Sequence, residues 1–112
     1  MTIQSILDKL EWQEGLTPTK QEPTGYAREL LNEEECEFVH RLIAEHIYCR
    51  FSDKRRQDKI KRMCGIVSCV WGKGLDRFET NKITGVGVGS VRIKLIQVAD
   101  MLIDTGAIVE ML

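Results

Sequence analysis

The chain has 112 residues, of which 43% are hydrophobic and 29% are charged, and its formal net charge at pH 7 is −1. A chain of this size buries enough apolar surface to fold as one domain without disulfides or structural metals. No apolar run approaches the roughly 20 residues of a membrane helix. The first residues also lack the basic start and the small-residue cleavage site of a secretory signal. We therefore predict a single-domain cytoplasmic protein without membrane contact, in which the four cysteines stay reduced.

The charges are unevenly distributed along the chain. Residues 1–46 carry ten acids and four bases, whereas residues 47–112 carry seven acids and twelve bases. A basic half indicates an anion-binding surface, and nucleic acid is the commonest large anion in cells. The alternative is that the acidic half pairs with the basic half inside the same fold.

The N-terminal part is predicted to be a short helix followed by a linker. Apolar residues at helical spacing place the helix within residues 1–14, with Thr2 or Ser5 available as its cap. Two prolines and two glycines make residues 15–25 a linker, so the first helix could be an appendage that docks on this chain or on a partner. The helical domain then covers residues 26–112.

The helical domain begins with two long amphipathic segments. The first is predicted at about 33–51, with Asn32 as its N-cap and acids in its first turn. The second begins at Ser52 or Asp53 and ends at the glycines 72 and 74, with a basic first half and an apolar second half. The residues expected to face the core are Cys36, Val39, Leu42, Ile43, Ile47, Phe51, Ile60, Met63, Cys64, Val67, Val70 and Trp71.

The C-terminal third is predicted to contain a short helix, a glycine stretch and a last helix. The short helix is "LDRFETNK", with Leu75 and Phe78 facing inward. Ser90 can cap the last helix, which ends at Gly106, and the final "AIVEML" is either a short strand or an apolar tail. The apolar stripe of the last helix consists of Val91, Leu95, Val98, Ala99 and Leu102. The fold class is thus mainly α, a bundle of four to five helices with, at most, a short C-terminal strand.

A run of bases occupies the first half of the third helix. Between residues 50 and 94 the bases outnumber the acids by twelve to four. Within the run, Arg55, Lys59 and Arg62 share one helix face. Such a face can contact phosphates, although a merely solvated face is the alternative. The run itself comprises Lys54, Arg55, Arg56, Lys59, Lys61 and Arg62.

The glycine stretch that follows, Ile83-Thr84-Gly85-Val86-Gly87 with Ser90 and a helix behind it, resembles the hairpin of helix-hairpin-helix DNA-binding motifs. The likeness covers about fifteen residues. The sequence departs from the motif by a third glycine, Gly89, and by the weak, charged first helix, "LDRFETNK", before the turn. The resemblance implies that backbone N–H groups meet a phosphate at a helix N-terminus. The implied contacts are Gly85, Gly87, Gly89 and Ser90, reinforced by Arg92 and Lys94.

Two other interpretations use the same segment. Residues 90–112 also resemble the recognition helix and first wing strand of a winged helix-turn-helix, in which Arg92, Lys94 and Gln97 would face the groove. This helix carries only two bases, however, and no second wing strand follows. The third interpretation is that the glycines form a plain turn between helices and that the last helix belongs to the core.

We predict neither a metal site nor catalytic activity. Cys36 and His40, like His46 and Cys49, are neighbours on one helix, but neither pair has the spacing of a known zinc site. A thiol and a base on adjacent turns rarely suffice for nucleophilic chemistry without a third orienting group. The sequence contains no Gly-x-Ser-x-Gly motif, no phosphate-binding loop with lysine and no dinucleotide fingerprint. No cofactor is implied.

The sequence therefore predicts a small regulatory protein, of the kind made by phages or bacteria, that binds nucleic acid mainly through phosphate contacts, with DNA favoured over RNA. The alternative is a protein-interaction module whose acidic helix, residues 33–46, docks on a basic partner such as a nucleic-acid enzyme. The position of the acids discriminates between them, because acids that cover the basic run would exclude nucleic acid. Apolar residues near the termini, such as Trp12 or Ile108, could serve a homodimer. The predicted nucleic-acid site consists of Lys54, Arg55, Arg56, Lys59, Arg62, Lys82, Gly85, Gly87, Ser90, Arg92 and Lys94.

Overall fold

The computed structural model describes residues 2–10, 29–47 and 53–111, with side chains up to residue 106 in the last segment. Over these ranges the chain forms five α-helices, and a π-helical turn, Ser68–Gly72, extends the third. The prediction of a mainly α, single-domain bundle is confirmed. The linker 15–25, Trp12, Phe51, Ser52 and the side chain of Ile108 lie outside the described residues. The helices are α1 (Ile3–Lys9), α2 (Glu33–His46), α3 (Asp53–Val67), α4 (Arg77–Thr84) and α5 (Val88–Met111).

The first two helices begin with reciprocal side-chain caps. The Thr2 hydroxyl accepts a 3.1 Å hydrogen bond from the Ser5 amide, and Asn32 Oδ1 accepts a 2.8 Å bond from the Glu35 amide. In return, Ser5 Oγ and Glu35 Oε1 accept from the cap amides. These bonds satisfy amides that have no acceptor within the helix. The cap predicted at Asn32 is confirmed.

The sequence predicted that α2 ends near residue 51. In the structure the helix already ends at His46. Ile47 has an extended backbone, with φ −78° and ψ 124°. The Arg56 guanidinium, from α3, donates to the carbonyl oxygens of Ala44 at 2.6 Å and Ile47 at 3.1 Å. Arg56 thus satisfies carbonyls at the end of α2 that would otherwise lack partners. The sequence pattern could not show this end, because the cap comes from another helix.

The core lies where α5 crosses the other helices. Trp71, Ile43 and Leu102 are completely buried, and every predicted core residue of α5 is buried as well. Helix α1 packs against α5, and its residue Ile6 and its C-cap residue Leu10 both have no exposed surface. In the structure, then, α1 is docked on its own chain and forms part of the core. At roughly 2 kcal/mol for each fully buried aliphatic side chain, this contact contributes several kcal/mol.

Helix α5 is longer at both ends than the sequence predicted. It begins at Val88, so Ser90 lies inside its first turn and is not its cap. It continues past Gly106 to Met111, so the short strand considered for residues 107–112 is wrong for the described residues up to 111. Gly106 serves close packing and not helix termination, because a Cβ there would lie 3.3 Å from Ile3 Cγ2.

Helix α4 turns a different face to the core than expected. It begins after Asp76, whose carboxylate accepts a 2.9 Å bond from the Glu79 amide. The inward prediction for Phe78 is wrong, since this side chain is 56% exposed, whereas Thr80 is completely buried. The contact with α3 sets this orientation, because Thr84 Cγ2 lies 3.1 Å from where a Cβ on Gly65 would be.

Helix α2 and the α3–π segment form a pair that is tied together at both ends. At one end Arg56 bonds to the last carbonyls of α2. At the other end the Leu31 amide, just before α2, donates a 2.8 Å bond to the carbonyl of Trp71 in the π-helical turn.

None of the described helices has the length and apolarity needed to cross a membrane.

Candidate nucleic-acid interface

An open groove of about 460 Å³ lies between α3 and α5. Four of its lining side chains are cationic and one is a carboxylate, which gives the groove a formal charge of +3. Its lining residues are Arg55, Asp58, Lys59, Arg62 and Lys94. The groove therefore unites bases that are more than thirty positions apart in the sequence.

The helical register of α3 explains one wall of the groove. Arg55, Lys59 and Arg62 recur at spacings of four and three residues and are all exposed. Met63 and Ile66 follow Lys59 and Arg62 by four residues each, so this stripe of α3 is basic and exposed in its first half and buried in the core in its second half. The sequence predicted the shared face of these three bases correctly.

The opposite wall comes from α5. Lys94 is partly buried and precedes the buried core residue Leu95 on this helix. Arg92 is exposed and lies two positions earlier, and residues two apart on a helix do not share a face. The groove accordingly includes Lys94 without Arg92.

The remaining predicted cations lie elsewhere. Arg56 is bonded to the end of α2. Lys54 is exposed on α3 outside the lining of the groove, and Lys82 is exposed on α4. The packing thus brings together four of the predicted basic residues and separates the others from them.

The exposed acids of α2 do not cover the groove. Glu33, Glu34, Glu37 and Glu45 are all exposed, and the groove lining includes none of them over the described residues. Among the described residues, the acid of α2 that forms an ion pair is the buried Glu35, whose carboxylate lies 2.7 Å from Lys9 Nζ on α1. In that part of the chain, therefore, no acid of α2 shields the groove.

A short turn, Gly85-Val86-Gly87, joins α4 to α5. Gly85 has φ +76°, a backbone conformation that favours glycine, and its amide donates to the carbonyl of Asn81 at 2.8 Å. The Asn81 amide group donates to the Val86 carbonyl, and Thr84 Oγ1 accepts from the Val86 amide. The sequence pattern did not predict these roles of Asn81 and Thr84 in the turn, although both residue types commonly stabilise turns. Together they fix the direction in which α5 begins.

The first turn of α5 presents backbone amides next to small residues. The amides of Val88 and Gly89 lie at the start of the helix, where no intrahelical acceptor exists. Ser90 is exposed, and its own amide bonds to the Gly87 carbonyl at 2.8 Å. Helix, Gly-Val-Gly turn and helix occur in the order that the helix-hairpin-helix resemblance implies, although Ile83, the apolar position before the turn, is 63% exposed. The winged interpretation is wrong for the described residues, because its wing strand is helical.

His40 and the described cysteines are buried or partly buried and do not line the groove. His40 Nε2 lies 3.0 Å from Ser68 Oγ, and burial lowers the pKa of His40 despite an opposing hydrogen bond to the Cys64 backbone. Burial also raises the pKa values of Cys36, Cys64 and Cys69, which disfavours their thiolate forms. The described residues contain no cluster of three or more metal-binding side chains, and Cys49 lies outside them.

Comparison of the chain with protein-family models, with curated proteins and with solved structures finds no significant match. Functional inference therefore depends on the geometry of the groove and of the turn beside it.

Proposed function

We propose that the protein binds nucleic acid, and DNA in preference to RNA, by holding backbone phosphates in the groove between α3 and α5. A single observation carries the proposal: four cations from two helices converge on one open groove, and the exposed acids of α2 lie outside it. We further propose that the protein is a cytoplasmic regulator without catalytic activity.

The chemistry of the groove suits a phosphodiester backbone. Arg62 can offer several N–H donors to phosphate oxygens, Lys59 and Lys94 act as compact point charges, and Arg55 adds a fourth positive charge to the lining. Asp58 also lines the groove, and its carboxylate repels a ligand that is anionic over its whole surface. A ligand whose negative charges are separated from one another is therefore favoured. Each phosphate that is neutralised releases condensed counterions, so affinity should fall steeply with salt.

The Gly-Val-Gly turn supports the proposal as a second anchor. The N-terminus of α5 combines amides that have no acceptor within the helix with the positive end of the helix dipole, and both favour a phosphate. Lys94 follows Val88 by six residues on the same helix, about 9 Å along its axis. One helix can therefore bring a backbone contact and a side-chain contact to the same strand.

Fluorescence anisotropy of labelled duplex DNA, single-stranded DNA and RNA across a salt series tests the proposal. The groove variant is Lys59→Glu/Arg62→Glu, and its matched control is Lys54→Glu/Lys61→Glu, which makes the same charge change on exposed residues of α3 outside the groove. We expect the wild type to bind DNA with a logarithmic salt slope of about −3, as for three to four phosphate contacts.

The groove variant should lose about tenfold or more in affinity at low salt, and the control should lose much less. Equal losses in the two variants would show that only overall charge matters and that the groove has no special role. No binding by the wild type at low salt would make the proposal wrong.

The exposed acids of α2 favour a second candidate, docking on a basic protein. Glu33, Glu34, Glu37 and Glu45 provide four carboxylates on a helix whose other face is buried. A partner that binds this surface should be lost in a Glu34→Lys/Glu37→Lys variant and retained by the groove variant. Affinity isolation with both variants separates this function from nucleic-acid binding.

A further inference from the structure

A large aromatic side chain is exposed on α4, a helix that is not part of the lining of the groove. Phe78 is 56% exposed, and the guanidinium carbon of Arg77 lies 5.1 Å from the centre of its ring. Lys82 is exposed and follows Phe78 by four residues, so both side chains share one face of α4. The feature is thus an aromatic ring with a cation over it and a second cation beside it.

A nucleotide fits this combination of groups. A nucleobase can stack on the ring because every base has a π-face, and its phosphate can pair with the neighbouring cations. An apolar protein surface would instead desolvate Arg77 and Lys82 and supply no anion for them. Charge complementarity therefore favours a nucleotide over an apolar protein partner.

The position of Phe78 relative to the turn agrees with this assignment. Phe78 precedes Gly85 by seven residues along α4, which is about 10 Å along the helix axis. This length corresponds to about three steps of 3.4 Å along one strand. A strand held at the turn could thus place a base on Phe78 a few nucleotides away, provided that this base is not paired.

We propose that Phe78 and Arg77 form a stacking platform for an unpaired nucleobase, so that the preferred ligand is a duplex with a single-stranded overhang. This inference rests on the proposed function and specifies its ligand. The duplex part would occupy the groove between α3 and α5, and the overhang would follow α4.

Anisotropy with three probes tests the inference: a blunt duplex, the same duplex with a short overhang, and the overhang strand alone. The variants are Phe78→Ala, Phe78→Leu, which keeps an apolar side chain, and Phe78→Trp, which keeps an aromatic one. Because the side chain is exposed, thermal unfolding should be almost unchanged, and this is checked for each variant.

We expect the wild type to bind the overhang probe about tenfold more tightly than the blunt duplex, the size of effect that stacking of one base produces. Phe78→Ala and Phe78→Leu should lose this preference without weaker binding to the blunt duplex, and Phe78→Trp should keep it.

The failures of the two proposals can be told apart. If the wild type binds DNA and the groove variant does not, but Phe78→Ala keeps the wild-type affinity for the overhang, the stacking platform is wrong and the groove stands. If Phe78→Leu keeps the binding of the overhang and Phe78→Ala loses it, an apolar contact and not base stacking explains the binding. That result would overturn the inference. A dimer of the wild type that Phe78→Ala abolishes in sedimentation, with DNA binding unchanged, would assign the ring to a protein interface. Absence of any binding by the wild type would overturn both proposals.

Discussion

The guanidinium of Arg56, on α3, donates a 2.6 Å hydrogen bond to the carbonyl oxygen of Ala44, close to the end of α2. A second bond to the Ile47 carbonyl completes a cap for this helix. Arg55 beside it lines the groove instead. Adjacent arginines in one basic run thus have different surroundings, and they should respond differently to mutation.

Arg56→Met should lower the free energy of unfolding by about 1–3 kcal/mol, because carbonyls at the end of α2 lose a charged donor. Lys54→Met is the matched control, since Lys54 is exposed on the same helix, and it should change stability by less than about 0.5 kcal/mol. Urea unfolding of both variants measures the difference. Equal effects would mean that Arg56 does not cap α2 in solution.

Gly87→Ala should weaken nucleic-acid binding without disturbing the fold. The nearest atom to a Cβ at this position is Ser90 Oγ at 3.8 Å, which is ordinary contact, so the melting temperature should stay close to that of the wild type. The added methyl group would stand where a phosphate approaches the amides of α5, and affinity should fall by about tenfold. Anisotropy measures the affinity; unchanged binding would remove the turn from the interface.

Glu35 should make a pH-dependent contribution to stability. Its burial opposes ionisation, but bonds from the Asn32 backbone and from Lys9 outweigh this and hold the pKa below its ordinary value of 4.5. A carboxyl with a lowered pKa in the folded state stabilises the protein above 4.5, and this contribution is lost as the pH falls through the folded-state pKa.

Glu35→Gln should therefore be less stable than the wild type at neutral pH by about 1–2 kcal/mol, and the difference should shrink as the pH falls below the ordinary carboxyl range. Glu34→Gln, at an exposed position of the same helix turn, is the control and should have little effect on stability at neutral pH. A difference for Glu35→Gln that stays constant down to acidic pH would contradict the assigned ion pair.

His40 should lower stability in mildly acidic solution. Burial holds its pKa below the ordinary value of 6.5, so the unfolded chain binds a proton that the folded chain resists. Stability contributed by neutral His40 is thus present above 6.5 and is lost as the pH falls through the folded-state pKa. His40→Gln should flatten this part of the pH profile in urea unfolding, and a profile as steep as that of the wild type would contradict this role of His40.

Thr80→Val should stabilise the protein. Thr80 is completely buried, and its hydroxyl oxygen has no hydrogen-bond partner in the described part of the chain. Removing a buried unsatisfied hydroxyl at nearly constant volume should raise the free energy of unfolding by about 1 kcal/mol. Thr84→Val is the contrasting change and should destabilise, because Thr84 Oγ1 donates to the Thr80 carbonyl and accepts from the Val86 amide.

Local signals in the sequence predicted the features that depend on near neighbours. The Asn32 cap and the apolar stripe of α5 follow from spacings of three and four residues, which the chain itself displays. The end of α2 has no such local signal, because Arg56, its cap, comes from another helix. The inward prediction for Phe78 fails because a helix of eight residues has too few apolar positions to define a face.

The candidate site also combines features that depend on near neighbours in the sequence with features that depend on the packing of other helices. The basic face of α3 could be predicted from the spacing of Arg55, Lys59 and Arg62. The position of Lys94 opposite this face could not be predicted, because it depends on how α3 packs against α5. Periodicity identifies which face of a helix is apolar, but it does not specify which helix lies opposite.

The double tie between α2 and the α3–π segment has a mechanical consequence. With hydrogen bonds at both ends, through Arg56 and through Leu31, these two helices should move as one rigid body. The α3 wall of the groove then has a fixed position and curvature. Any adjustment to the spacing of a ligand's phosphates has to come from the long side chains or from α5. The α3 wall is thus stationary, and the position of α5 sets the width of the groove.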